Sequence, residues 1–160
     1  MRFLAILRTL VSHQVEFVIV GGYSAMVHGS DYFTRDLDIV HHRSSENIPR
    51  LLAALTELNA EYRYKRGVAP NASHVSGPGH QLLNTKYGWL DALGAVGKDD
   101  DYVALLPQCE LVEVEPGVKV QVINLETLIR LKEKAGREKD AVTLPELRAL
   151  LAEKRRQKPA

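Results

Sequence analysis

The chain predicts an α/β (α+β) fold, a mixed central β-sheet flanked by helices. The expected division is a single domain over residues 1–152 and a frayed basic tail over 153–160. Three observations carry this. Short β-branched runs and stretches of helical periodicity follow one another as helix–strand–helix–strand–helix–strands–hairpin–helices. A chain of 160 residues with 45% hydrophobic content suits one good core rather than two. No internal repeat and no domain linker interrupts it.

Composition narrows the function classes. A net charge of +1 argues against nucleic-acid binding by bulk charge, although a local basic face is still available. The single cysteine, Cys109, excludes an internal disulfide framework and fits a reducing cytoplasm. Its place at the start of an expected strand reads as a buried thiol. The opening apolar run from Met1 to Leu7 is broken by Arg8 and then by Ser12-His13-Gln14, with no small-residue cleavage site after it. Leu4, Leu7, Leu10 and Val11 instead fit one face of a helix over 2–13. No stretch approaches the length of a membrane span, so the expectation is a cytoplasmic protein without a membrane partner.

After that helix, the apolar run ending in Phe17-Val18-Ile19-Val20 reads as a buried strand over 15–20, stopped by Gly21-Gly22. Tyr23 to His28 carry a helical pattern closed by Gly29-Ser30. Asp36-Leu37-Asp38-Ile39-Val40 is then a second strand. Side chains alternate along a strand, so Asp36 and Asp38 share one face while Leu37 and Ile39 pack into the core. Two neighbouring carboxylates repel, and a hard divalent ion, Mg²⁺ or Mn²⁺, relieves that repulsion and brings substrate phosphates as further ligands. Gly21 and Gly22 offer bare backbone N–H groups at a helix start, which suits phosphate. Taken singly, the glycines also read as a turn and the acids as a solvated edge. Taken together, they point to metal-assisted nucleotide chemistry.

The stretch Val20-Gly21-Gly22, a thirteen-residue spacer and Asp36-Leu37-Asp38-Ile39 resembles the signature of the nucleotidyltransferase superfamily related to DNA polymerase β. Ala25, His28-Gly29 and Thr34 resemble the small prokaryotic branch that includes AbiEii-like proteins of toxin–antitoxin systems. Tyr32 departs from it, standing where that branch usually has Arg, and Arg35 is a displaced cation. The resemblance implies the minimal nucleotidyltransferase fold, with Asp36 and Asp38 as metal ligands and Gly21 and Gly22 at the triphosphate.

Further along, His41, His42 and Arg43 read as strand-end polar residues. Ser44 or Ser45 caps an expected helix over 46–59 bearing Ile48, Leu51, Leu52, Leu55 and Leu58. Residues 61–66 alternate tyrosine with charge. That suits an edge strand protected from aggregation, or a surface that stacks and pairs with nucleic acid. Residues 67–79 are rich in Gly, Pro, Asn and Ser and predict a long loop, either a flap or disordered.

His80–Asn84 and Lys86–Leu93 are strand material around Gly88. Asp91 is a lone acid among apolar residues there, and an unpaired buried carboxylate is costly. The resemblance implies that Asp91 is the third carboxylate, a metal ligand that helps deprotonate the attacking hydroxyl. The alternative is a surface acid at a strand end. Lys98–Asp101 predicts a solvated turn, and 111–114 with 118–122 form a hairpin around Pro116-Gly117.

Asn124 caps a helix ending at Gly136. From Leu128 to Asp140 the chain again resembles that prokaryotic branch, with Leu-Ile-x-x-Lys and then Ala-Gly-Arg-x-Lys-Asp. The match implies Lys132 and Asp140 near the nucleotide and Arg137 and Lys139 as phosphate contacts. From the residues alone, three cations close to a helix end also read as dipole complementation. Thr143-Leu144-Pro145-Glu146 reads as a capping box opening the last helix.

The function expected is Mg²⁺- or Mn²⁺-dependent transfer of a nucleoside monophosphate from an NTP to an acceptor hydroxyl of RNA or tRNA, a protein or a small molecule, with release of pyrophosphate. The alternative is a catalytically silent module of the same fold in a toxin–antitoxin-type or RNA-binding complex. Base, acceptor and oligomeric state are not written in the residues.

Overall fold

The structure is a computed structural model that describes residues 2–158. The elements are α1 (Phe3–Ser12), β1 (Phe17–Val20), α2 (Gly21–Val27), β2 (Asp36–His41), α3 (Asn47–Glu57), β3 (Glu61–Tyr62), α4 (Ala72–Ser76), β4 (His80–Thr85) and β5 (Gly88–Leu93). They continue with α5 (Tyr102–Leu105), a 3₁₀ turn (Leu106–Gln108), β6 (Cys109–Glu115), β7 (Val118–Ile123), α6 (Leu125–Ala135) and α7 (Glu138–Gln157). The seven strands form one sheet in the order β3-β4-β5-β2-β1-β7-β6. The β1–β7 and β2–β5 pairs are parallel and the others antiparallel, so the sheet is mixed, as expected.

Each sheet face has its own core. Ile19, Leu37, Ile39, Leu83, Leu90 and Ala92 point toward α1 and α3, meeting Ile6, Leu10, Leu51 and Leu55. Val18, Val20, Val40 and Leu93 point the other way, toward Leu125, Leu128, Leu144 and Leu147. Full burial of an aliphatic side chain of this size contributes about 1.5–3 kcal/mol. The alternation therefore fixes strand register, because a slip of one residue would turn the apolar set outward. It also turns Asp36 and Asp38 to the face of Val40, and Asp91 to that of Leu93. All three acids look toward α6.

Several expectations are corrected. In 61–66 the strand covers only Glu61–Tyr62. The Arg63 N–H still donates to the Leu82 carbonyl at 2.9 Å, but the chain then turns back, with the Lys65 N–H on the Tyr62 carbonyl at 3.2 Å. Arg63 points inward while Tyr64 projects into solvent. The loop over 67–79 contains α4, opened by an Asn71–His74 capping box. Val75 is fully buried there, and its carbonyl lies 2.7 Å from His41 Nε2. The turn between β4 and β5 falls at Lys86-Tyr87, ahead of Gly88. The acidic turn is not wholly solvated: Asp100 is buried and pairs with Arg130 and Lys134 at 3.2 Å each, while Asp101 caps α5.

The capping box at Thr143–Glu146 is not used, since α7 runs unbroken through Pro145. Pro145 has no N–H for the Ala141 carbonyl and would ordinarily break a helix. Packing holds it instead: Leu144 and Leu147 are buried, Glu146 takes hydrogen bonds from the Ser30 hydroxyl and the Asp31 N–H, and the Thr143 hydroxyl donates to the Asp140 carbonyl. The same helix runs on through Gln157, with the exposed Arg155 paired to the exposed Glu126. The ends of the expected domain and tail, Met1 and residues 159–160, lie outside the described residues. Among the described residues no helix is long and apolar enough to cross a membrane.

Candidate active site

The acids converge through strand pairing. In the parallel β2–β5 register Asp38 lies opposite Asp91 and Asp36 opposite Trp89, and in the antiparallel β1–β2 register Val20 lies opposite Asp38. One carboxylate oxygen each from Asp36, Asp38 and Asp91 lies within 4.8 Å of the others. Burial, then the Asp91 and Asp36 charges, pushes the Asp38 carboxyl up to about 7, against the pull of Lys139. Asp38 Oδ1 is buried with no hydrogen-bond partner. An orphaned buried oxygen beside two further carboxylates fits a divalent cation, whose charge would offset both the repulsion and the lost hydration.

The glycines are dictated by space. Gly21 sits at φ +67°, where the strand turns directly into α2, and a Cβ there would fall 2.2 Å from Asp38 Oδ2. A Cβ at Gly22 would fall 2.7 Å from Thr34 Cβ. Thr34 in turn brackets the start of β2: its hydroxyl donates to the Asp36 carbonyl at 3.2 Å and accepts from the Asp36 N–H at 3.3 Å.

A cavity of about 400 Å³ opens beside the acids. Gly21, Gly22, Thr34, Asp36 and Asp38 line one side, and Lys132, Arg137, Lys139 and Asp140 line the other. The structure thus brings together eight of the nine site residues expected from sequence around one cavity, and Asp91 adjoins it through Asp38. Tyr32 and Phe33 line the cavity rim, whereas Arg35 is exposed and does not line it.

Asp140 has a different surrounding from the other acids. It is buried in the first turn of α7, accepting from Lys132 Nζ at 3.1 Å and from Arg137 Nε at 2.7 Å. Burial alone would raise its carboxyl, but the hydrogen bonds from Arg137 and Lys132 outweigh that and hold it below the usual carboxylate range. It therefore fixes two cations at the cavity wall. Lys139 makes no ion pair among the described residues, so its charge faces the acids unspent.

Sequence reasoning missed Arg63. Its Nη2 donates to Asp91 Oδ1 at 2.7 Å and to the Leu83 carbonyl at 3.2 Å, and its guanidinium lies 4.3 Å from the centre of the Trp89 ring. Both partners of this ion pair are largely buried. The available signal was an arginine amid the alternating run 61–66, but nothing in that run marks one cation as the inward one. Cys109 is half-buried, and burial pushes its thiol up to about 12, which suits a packed side chain and not a nucleophile.

No protein-family model matches the chain, and no curated protein matches it. Among solved structures it is similar to a Thermotoga maritima protein assigned to the nucleotidyltransferases, at 21% identity over 91% of each chain and a TM-score of 0.60. It is also similar to the lincosamide antibiotic adenylyltransferase LnuA with lincomycin bound, at 15% identity over 93% of this chain and 96% of that one, with a TM-score of 0.63. The fold is that of the nucleotidyltransferases.

Proposed function

We propose that the protein is a nucleotidyltransferase that moves a nucleoside monophosphate from an NTP to an acceptor hydroxyl, with Mg²⁺ or Mn²⁺ held by Asp36, Asp38 and Asp91. One observation carries the reading: three carboxylates, one with an unpartnered buried oxygen, stand across a cavity from Lys132, Arg137 and Lys139. Acids gathered at one wall and cations at the other suit a metal-bound polyphosphate. The shared fold of a known adenylyltransferase supports it.

The metal, when bound, supplies charge neutralisation at the phosphates and a lowered acidity barrier for the attacking hydroxyl. The chain's own residues do the rest. Gly21 and Gly22 let backbone approach the triphosphate without side-chain obstruction. Lys139, with Lys132 and Arg137 pre-oriented by Asp140, stabilises charge building on the departing pyrophosphate. Asp91, with Oδ1 held by Arg63, presents its carboxylate to the metal site, where it orients the acceptor hydroxyl and takes its proton.

The test is titration calorimetry of wild type and of the Asp36→Asn/Asp38→Asn double variant with each NTP, with and without Mg²⁺. Wild type is expected to bind one or more NTPs only with the metal, and the double variant none. Binding by neither protein under either condition would sink the proposal.

A second reading is favoured by one observation: Arg63 already neutralises Asp91. A chain in which that pair never opens to substrate would be a silent binding module of a toxin–antitoxin-type or RNA complex. It would bind Mg²⁺–NTP with no pyrophosphate release for any acceptor. The AbiEii-like placement and a cytoplasmic setting belong with either reading.

A further inference from the structure

We propose that the second cleft beside the acids is the acceptor subsite, and that it takes a small alcohol with an aliphatic body. This rests on the nucleotidyl-transfer reading above. The cleft lies between the sheet and α6, with a volume of about 220 Å³. Val20, Leu93, Val96, Leu128 and Leu131 form its walls, and Asp38 and Asp91 reach it from the sheet. It shares Gly21, Asp38, Lys132 and Arg137 with the larger cavity, so the two open onto the same carboxylate from different sides.

Their linings differ in kind. The larger cavity has the unpaired Lys139 and a polar wall suited to phosphate. The cleft has aliphatic side chains from β1, β5 and α6, and its two cations are already engaged by Asp140. Single-stranded nucleic acids are held by a cationic track with aromatic platforms on which bases stack. No Phe, Tyr or Trp lines this cleft, and its one aromatic ring, His80, is tied to the Ala95 carbonyl at 3.0 Å. The volume is also below the roughly 300–1,000 Å³ of pockets that enclose drug-sized ligands. One saturated ring or a short branched chain bearing a hydroxyl matches both lining and size.

In the reaction the acceptor oxygen bonds to the α-phosphorus as the bond from that phosphorus to the bridging oxygen breaks. The hydroxyl proton passes to the Asp91 carboxylate and then to solvent, and pyrophosphate leaves through the cationic cavity. Arg63 holds Asp91 Oδ1 from the β3 side, and the Asp91 carboxylate lines the cleft beside Asp38.

The experiment uses the full chain with ¹³C-labelled Ile, Leu and Val methyls, titrated with cyclohexylmethanol and related monocyclic alcohols, with and without NTP and Mg²⁺. Saturable shifts are expected at Val20, Leu93, Val96, Leu128 and Leu131, together with alcohol-dependent pyrophosphate release. Val96→Arg, placed in the half-buried loop at the rim, is expected to weaken those shifts at least tenfold with its circular dichroism unchanged. Val96→Glu is a second plug of opposite charge should the arginine form perturb the fold. Unmoved cleft methyls in a protein that binds Mg²⁺–NTP overturn the inference and leave the nucleotidyl-transfer reading standing. Release driven by RNA 3′ hydroxyls or protein hydroxyls but not by the alcohols overturns it equally. Cleft shifts without NTP binding under any condition overturn the nucleotidyl-transfer reading, and the acceptor role with it.

Discussion

Arg63 reaches past strand β4 to donate to Asp91 at 2.7 Å while its guanidinium lies over Trp89, two residues earlier on the same strand as Asp91. The contact joins the outermost strand at one edge of the sheet to the acids at its middle. A residue that fixes the orientation of a metal-binding carboxylate typically changes metal affinity or activity about 10–100-fold when removed.

Arg63→Ala is therefore expected to weaken Mn²⁺ binding by about tenfold or more, measured by calorimetry, with far-ultraviolet circular dichroism unchanged. Arg63→Lys should not restore it, because an ammonium cannot both stack on Trp89 and present a planar fork. Tighter Mn²⁺ binding in Arg63→Ala would mean that the ion pair competes with the metal and does not orient its ligand.

Asp38 sets a pH dependence. Its folded-state carboxyl titrates at about 7, above the ordinary value of 3.8, so folding is penalised once it ionises. The penalty is absent below 3.8, grows as pH rises toward 7 and is complete above it. Without divalent metal, Asp38→Asn should be more stable than wild type at about pH 8 by on the order of 2–4 kcal/mol, and equal to it near pH 4. Thermal melts in chelator at the two pH values check this. With saturating Mg²⁺ the order in the alkaline sample should reverse, because the wild type alone keeps the full ligand set.

Gly21→Ala combines a left-handed backbone with a collision on Asp38, whereas Gly67 has φ +78° with nothing within 4 Å of the place a methyl would take. Gly67→Ala is expected to cost about 1 kcal/mol and Gly21→Ala about 2–3 kcal/mol. Urea denaturation of both variants measures the difference. Only Gly21→Ala should also lose Mg²⁺–NTP binding, and equal costs would show that Asp38 moves aside freely.

Asp140→Ala strands a largely buried Lys132 and frees Arg137. Breaking such a pair costs about 3 kcal/mol. Because the native carboxyl sits below its usual range, its contribution is present above 3.8 and fades as pH falls through the folded value. The stability gap between wild type and Asp140→Asn should therefore close in acid. Mg²⁺–NTP should recover part of the loss in Asp140→Ala, since phosphate oxygens can take the place of the missing carboxylate; no recovery would place these cations outside the nucleotide cavity.

The elements legible in the residues were those whose signals are local. Leu37 and Ile39 alternate with Asp36 and Asp38, which determines the strand and the shared face of the acids without any knowledge of neighbours. Asn124 and Gly136 bracket α6 through cap chemistry that needs only the helix itself. The thirteen-residue spacer and the Lys132–Asp140 stretch marked the same cavity from two distant parts of the chain.

Tertiary structure decided the rest, because the deciding contacts are distant in sequence. Arg63 is one of several similar cations in its run until β3 and β4 fold it against Asp91. Thr143–Glu146 reads as a helix start until Ser30 and Asp31 occupy Glu146, and the buried Leu144 and Leu147 carry the helix through Pro145. Asp100 reads as a solvated acid until Arg130 and Lys134 arrive from α6. A local pattern determines which way a side chain faces; only packing determines what it meets there, and in this chain that second fact fixes the partners of Asp91 and Asp140.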